Sequence, residues 1–288
     1  MKAGQDSYMV AADPITSKVA SLFDALSETY DSVGVDFFQP IAASLVRAMP
    51  PIKGESWLDI GCGRGAVIDQ IVEPIGSDGK ILGTDISPGM IQQLQSHVVQ
   101  SQYSTVTLKV DDAQNPELET KNFDTVSSSL VLFFLPDPQR ALEKWLHLLT
   151  PGGRIGVTTF AEQDPRWVKV ESVLQPFKTA AMKDARTSGA IGPFGSDAGM
   201  EDLLSSAGFG EVRTVTDQIP VRFNSPSHWF DFSWSVGARQ MWLLVPEADR
   251  PAVRAEGERR LCEIAEPDGS ILTFQGVRHT LGERPNTI

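Results

Sequence analysis

The sequence predicts an α/β protein with a doubly wound, mostly parallel, seven-stranded sheet, and three observations carry that prediction. Between residues 57 and 160, short apolar runs of strand character alternate with stretches whose apolar residues recur at helical spacing. Parallel neighbours need crossover connections, so this alternation implies a parallel sheet with helices on both faces. The first strand runs directly into Gly61-x-Gly63-x-Gly65, three glycines at alternate positions that open a helix. Two late segments, 212–216 and 271–281, have strand character and close the sheet as an antiparallel pair.

In chain order, Val19, Leu22, Phe23 and Leu26 mark a helix over 15–30, and Phe38, Ile41, Leu45 and Val46 mark a second over 37–49, stopped by Pro50-Pro51. Trp57-Leu58-Asp59-Ile60 forms a short buried strand, followed by a helix over 66–72. Strand 80–85, helix 88–100, strand 106–110, strand 123–131 and helix 138–149 come next, and strand 154–160 follows Pro151-Gly152-Gly153. Beyond 160 the regularity loosens. The expected organisation is a helical N-terminal cover (1–49), a core (50–160), an irregular helical insertion (161–198) and a core continuation (199–217) that opens with a helix over 199–207. An aromatic-rich lid insertion with two helical stretches (218–270) and the last strand with its tail (271–288) complete the chain.

With 25 Lys and Arg against 37 Asp and Glu, the formal net charge is −12. Basic residues are scattered, the densest being Arg254, Arg259 and Arg260 among glutamates, which argues against nucleic-acid binding because a polyanion partner needs them gathered on one face. The charge run 256–260 is expected to be a solvated helix face. Cys62 and Cys262 are the only cysteines and neither belongs to a pair or a Cys/His cluster, so no structural zinc, no metal and no disulfide are expected. The N-terminal MKAGQDSYMVAADPITSK lacks an apolar signal core and no window is long enough for a membrane span, so a cytoplasmic protein is expected, with monomer and homodimer both open.

The chemistry is concentrated at one edge of the sheet. Glycines without Cβ atoms let the backbone approach a ligand closely, and the helix that follows presents free N–H groups. Asp85 ends the second strand 20 residues after Gly65, where a carboxylate accepts hydrogen bonds from both hydroxyls of a ribose. It also fits as a cap before Ser87-Pro88. Asp111-Asp112-Ala113 ends the third strand at the same edge. Open α/β sheets bind ligands there, outside the carboxyl ends of their strands.

On these residues the chain resembles the class I S-adenosylmethionine-dependent methyltransferases with Rossmann-like folds, in the group that includes ubiquinone/menaquinone-type and natural-product enzymes. The resemblance covers residues 50–160 best. A dinucleotide oxidoreductase would show G-x-G-x-x-G, whereas here Gly65 is followed by Ala66. The resemblance implies that Asp59, Gly61, Gly63 and Gly65 cradle the methionine end of S-adenosylmethionine, with Asp59 on its amino group. It implies that Asp85 holds the ribose, that Ile86 and Met90 lie against the adenine, and that Asp112 bonds the adenine amino group beside Ala113. Ser129 matches a contact to the methionine part. Tyr30 matches an N-terminal tyrosine that covers the cofactor, although a tyrosine there equally suits a core position.

Methyl transfer from a sulfonium needs alignment and exclusion of water, and needs a base only when the acceptor is protonated. The candidate base is His228, ahead of His279, His147 and His97. Phe223 to Trp242 is dense in aromatics, which suits either a core face or the wall of an apolar acceptor pocket; Trp229, Phe232 and Trp234 are the substrate candidates, with Phe194 in a Gly-Pro-Phe-Gly hinge at the rim. The expected function is methylation of a small, largely apolar acceptor, a secondary metabolite or quinone-like ring, at oxygen or carbon. Cyclisation assisted by the same cofactor, or cofactor sensing without turnover, are the alternatives.

Overall fold

The computed structural model describes residues 13–179, 186 and 189–286. The first twelve residues of the expected cover, most of 180–188 in the expected insertion, and the last two of the tail lie outside the described residues.

The N-terminal helices are α1 (Pro14–Leu26) and α2 (Phe38–Ala48). Asp13 caps α1, its carboxylate accepting from the Ile15 N–H, and Pro14 occupies the first turn, where a missing N–H is harmless. The core then runs β1 (Ser56–Ile60), α3 (Ala66–Ile75), β2 (Lys80–Asp85), α4 (Pro88–Gln100), β3 (Val106–Val110), β4 (Phe123–Ser129), α5 (Pro138–Leu148) and β5 (Leu149–Gln163). It continues through α6 (Pro165–Glu171), α7 (Asp197–Ser206), β6 (Gly210–Phe223), α8 (Pro226–Ser235), α9 (Arg239–Leu244), α10 (Arg250–Cys262) and β7 (Ile271–Glu283).

The seven strands form one sheet in the order β3-β2-β1-β4-β5-β7-β6. The first five are parallel; β7 is antiparallel to both β5 and β6. Within β1, Trp57 belongs to an apolar layer with Leu45, Ile68, Ile71 and Leu94, while Leu58 and Ile60 belong to the opposite layer with Leu142, Trp145 and Leu204. A strand buried on both faces reads as a continuous apolar run, which is why these strands stand out in the sequence.

Three expectations are corrected. Strand β4 stops at Ser129 rather than residue 131, because Leu130 takes a left-handed backbone (φ 61) and a short 3₁₀ turn, Leu132–Phe134, follows. Strands β5, β6 and β7 are longer than expected, so residues 218–223 are strand and not helix: β6 and β7 stay paired from Arg213↔Leu281 out to Phe223↔Ile271. The remaining stretch holds three helices, α8, α9 and α10, where two were expected. The aromatics of α8 and α9 fill a third apolar cluster with Trp167, Leu174, Phe223, Leu261 and Ile271. On α10 only Gly257 and Leu261 are buried, and Arg254–Glu258 and Arg260–Glu256 pair along its outer face. Among the described residues no helix is long and apolar enough to cross a membrane.

Candidate active site

The carboxyl ends of β1 to β4 open into a cleft enclosing about 1140 Å³ including its solvent-facing mouth. Its floor is the turn after β1. The N–H groups of Gly61 and Cys62 both donate to the Thr84 carbonyl (2.7 and 2.9 Å), fixing the turn to the end of β2. Gly61, Gly63 and Gly65 all have positive φ (71, 52 and 94°). A Cβ on Gly61 would stand 2.3 Å from Val131, and one on Gly65 would stand 2.5 Å from Leu94, so both are glycine for packing. A Cβ on Gly63 meets nothing within 4 Å: it would project into the cleft. Helix α3 has no side-chain cap, and Ala66 and Val67 of its first turn line the cleft. Its unpaired N–H groups and the positive end of its dipole suit an anionic group.

Three carboxylates face this floor. Asp59 is buried, accepts from the Ser127 hydroxyl (2.6 Å), and Ser127 in turn accepts from the Trp57 indole N–H (2.8 Å). Burial, partly offset by that hydrogen bond and reinforced by the Asp85 charge, pushes its pKa up to about 7. Such a carboxyl gains most from a cation placed beside it. Asp85 accepts from the Gly63 and Ser87 N–H groups (both 2.9 Å), so it braces the glycine turn. Burial raises its pKa, while the backbone donors at Ser87, Gly63 and Ile86 hold it down. Asp112 accepts from the Gln114 N–H (2.9 Å), and Ala113 lies beside it on the wall. Ile86, the buried Met90, and Ser129 complete this half.

The N-terminal helices close the other side. Thr16, Val19 and Phe23 of α1 line the cleft, as do Tyr30, Asp31, Phe38 and Gln39, opposite Phe134, Leu135 and Pro136 after β4. Phe23 packs edge-on against Tyr30 and Phe134 (6.0 and 5.4 Å between centroids), and Tyr30 stacks on Phe38 (4.8 Å). The Asp24 carboxylate accepts from the Gly89 N–H (2.8 Å) and the Ser87 hydroxyl (3.1 Å), latching α1 to the start of α4. Arg64 donates to the Tyr30 carbonyl. Burial and the charges of Asp31 and Asp85 keep the Tyr30 hydroxyl protonated.

Every cofactor residue expected from the sequence lines this one cleft except Gly65, which packs on Leu94 beneath the turn. The acceptor-side expectations fare differently. His228 does not face the cleft: its Nδ1 accepts from the Asn224 N–H (3.1 Å) and its Nε2–H donates to the Val33 carbonyl (2.6 Å). With both nitrogens engaged it anchors a loop and is not a free base. Trp229 and Phe232 are buried in the third apolar cluster; Trp229 packs edge-on against Trp167 and Trp242. Trp234 stacks on Phe230 beneath Arg239 and is also outside the cleft. Phe194 is fully buried against Phe133, and Arg278 donates to its carbonyl (3.0 Å), so its segment is clamped and not a rim hinge. His279 is buried between Thr158 and Ser44. Nothing in the local pattern marks Asp31, Arg64, Gln39 or Phe134 as wall residues; Phe23 carries a signal, as part of the apolar stripe of its helix.

A methyltransferase-domain model matches residues 52–201. Nocamycin O-methyltransferase of Saccharothrix syringae is 33% identical over 274 residues, spanning 91% of this chain and 96% of that protein. Aklanonic acid methyltransferase of a Streptomyces species is 41% identical over 142 residues, 49% of this chain and 64% of that protein. Haemonchus contortus phosphoethanolamine N-methyltransferase 2, solved with phosphomonomethylethanolamine and S-adenosylhomocysteine, shares the fold: TM-score 0.52 and 18% identity, over 86% of this chain and 52% of that one. With its family model over half the chain, a relative 33% identical over 91% of it and the motif residues other than Gly65 gathered in one cleft, the chain belongs to the methyltransferase-domain family and is a class I S-adenosylmethionine-dependent methyltransferase.

Proposed function

We propose that the protein methylates a small, largely apolar organic acceptor of the secondary-metabolite or quinone-like kind, at oxygen in preference to carbon. The observation that carries this reading is the division of the cleft into a carboxylate-lined floor and an aliphatic and aromatic wall. The floor fits the cofactor on its own terms: Gly63 leaves open space where a side chain would intrude, Asp59 favours a cation, and the uncapped start of α3 favours an anion. A zwitterionic methionine end presents both charges.

In this reading Asp59 binds the amino group, the first turn of α3 takes the carboxylate, and Asp85 takes the ribose hydroxyls. Ile86, Met90, Asp112 and Ala113 receive the adenine, Ser129 meets the methionine part, and Tyr30 covers the site. When bound, the sulfonium supplies an activated methyl group whose departure leaves a neutral thioether. The chain has only to align the acceptor, keep water out and take up a proton. Phe23, Phe38, Phe134 and Leu135 form the apolar surface available to an acceptor, and Arg64 is the one cation on the wall among the described residues. That composition disfavours a polyanionic substrate. Oxygen is favoured because the relative matched over 91% of the chain is an O-methyltransferase by name.

Calorimetric titration with S-adenosylmethionine, S-adenosylhomocysteine and NAD, followed by incubation with S-adenosylmethionine and a panel of hydroxylated aromatic and polyketide-like acceptors, tests the proposal. Micromolar binding of both sulfur ligands but not NAD, with S-adenosylhomocysteine formed alongside methylated product, supports it. Product formed with S-adenosylmethionine left intact would mean cyclisation, and binding without any product would mean sensing.

A further inference from the structure

Among the described residues five acidic side chains line the cleft, and four of them are tied into it: Asp59 to Ser127, Asp85 to Gly63 and Ser87, Asp111 to Lys109, and Asp112 to Gln114. Asp31 is the fifth. It stands next to Tyr30 on the apolar side of the cleft, and among the described residues its carboxylate accepts no hydrogen bond, the Arg64 guanidinium acting on it through charge alone. Its backbone is left-handed (φ 51), a conformation that costs a non-glycine residue energy and persists where the surroundings impose it. The loop that imposes it is held at both ends. Arg64, from between Gly63 and Gly65, donates to the carbonyl of Tyr30, and His228 donates to the carbonyl of Val33. A strained, anchored loop therefore presents one acceptor free of hydrogen bonds among the described residues, beside the turn proposed to hold the methionine end.

We propose that Asp31 is the catalytic base of the acceptor site, receiving the hydroxyl proton of the acceptor as the methyl group arrives. This rests on the cofactor placement proposed above. The acceptor O–C bond forms as the donor C–S bond breaks with its electron pair left on sulfur, and the O–H proton passes to an Asp31 carboxylate oxygen and from there to solvent at the cleft mouth. The charged and titratable groups facing Asp31 are Arg64 from the glycine turn, Asp36 from the same loop, and Tyr30, which also faces Asp85. Burial raises the Asp31 pKa, the Arg64 charge lowers it and the Asp36 charge raises it, leaving it at about 6. A base of that strength is ionised at neutral pH and still accepts a proton in the transition state. Among the described residues no histidine or lysine lines the cleft to compete for the role, and the Cys62 thiol is pushed up by burial and by the Asp85 and Asp59 charges.

The test uses the full chain loaded with S-adenosylhomocysteine, with Asp31→Asn as the variant. Asparagine tolerates the left-handed backbone as aspartate does, so the loop keeps its shape, which an unchanged Tm verifies. The probes are 2-naphthol, a planar apolar hydroxyl that stays protonated between pH 5 and 8, and 2-methoxynaphthalene, which has no proton to give. For the wild type, 2-naphthol affinity rises about tenfold from pH 5 to 7 and levels off as Asp31 ionises. For Asp31→Asn it is flat over that range and about tenfold weaker at pH 7. The methyl ether binds both proteins alike at every pH, and S-adenosylhomocysteine affinity differs by less than twofold. The proposal is overturned by the same 2-naphthol profile in both proteins, by a matching profile for the ether, by no naphthol binding at millimolar concentration, or by loss of S-adenosylhomocysteine binding in the variant alone. Failure of the wild type to bind S-adenosylhomocysteine, seen before any naphthol is added, overturns the cofactor placement and this inference together.

Discussion

Gly63 and Asp85 meet across one hydrogen bond of 2.9 Å, and they fail differently when changed. In Gly63→Val a branched side chain fills the space that the ligand backbone approach needs, at a residue whose φ of 52° already disfavours it. Calorimetry should find no S-adenosylhomocysteine binding in a folded protein. Asp85→Ala removes the proposed ribose acceptor and also the brace on Gly63, and should weaken binding by about 1 to 3 kcal/mol. Equal affinity in both variants and the wild type would refute the site. At Asp59, a pKa of about 7 leaves the carboxyl partly protonated at neutral pH. An ammonium group favours the ionised form, so binding should expel a proton, and affinity should rise with pH until it levels off above about 7. Calorimetric enthalpies in phosphate and in Tris, which take up protons with different heats, would differ by the protons released; identical enthalpies near pH 6 would show that Asp59 does not sense the ligand.

At the scale of elements, what is legible is what adjacent residues specify. Strand β2, helix α4 and strand β3 have the boundaries that their apolar runs and breakers indicate, because a buried parallel strand and a proline-started helix are each specified by adjacent residues. The aromatics of α8 were legible as buried but not as to where: a pocket wall and a packed core demand the same apolar surface, and Trp229 and Phe232 went to the core. His228 was misleading because its partner, the Val33 carbonyl, lies 195 residues away in sequence. The Asp24 latch was invisible for the same reason, since it depends on α1 lying over the start of α4. Two hydrogen bonds to one carboxylate hold the cover there. Asp24→Ala should therefore leave the fold intact but let α1 lift, raising the S-adenosylhomocysteine off-rate by about five- to tenfold with faster amide exchange along α1. An unchanged off-rate measured by stopped flow would show that the cover is not what retains the ligand.

Across the whole molecule, the antiparallel β7 ties the cover to the sheet through a buried polar chain that periodicity cannot reveal. His279 on β7 lies between the Thr158 hydroxyl of β5 (2.9 Å) and the Ser44 hydroxyl of α2 (3.0 Å). Ser44 donates to Asp217 of β6 (2.6 Å), which Arg47 of α2 also reaches (3.0 Å). Because Ser44 spends its proton on Asp217, its oxygen accepts from His279 Nε2–H, and Nδ1 accepts from Thr158, so neutral imidazole satisfies every partner. Burial in this position lowers the His279 pKa to about 4; the Asp217 charge opposes the shift and the Arg47 charge adds to it. The unfolded chain protonates its histidine near 6.5 while the folded chain resists, so the stabilising contribution is fully present above 6.5 and is lost as pH falls towards 4. The loss amounts to about 3 kcal/mol, a large fraction of the stability of a single domain. In urea titrations at fixed pH between 7 and 4, the wild type should lose stability along this course. His279→Gln should start lower, because its amide cannot serve Thr158 and Ser44 equally well, and then show a shallower decline. Parallel declines in the two proteins would assign the acid sensitivity to carboxylates elsewhere and leave α2, and with it the Phe38 and Gln39 wall of the cleft, anchored by packing and by its bonds to Asp217 and Asp69 rather than by His279.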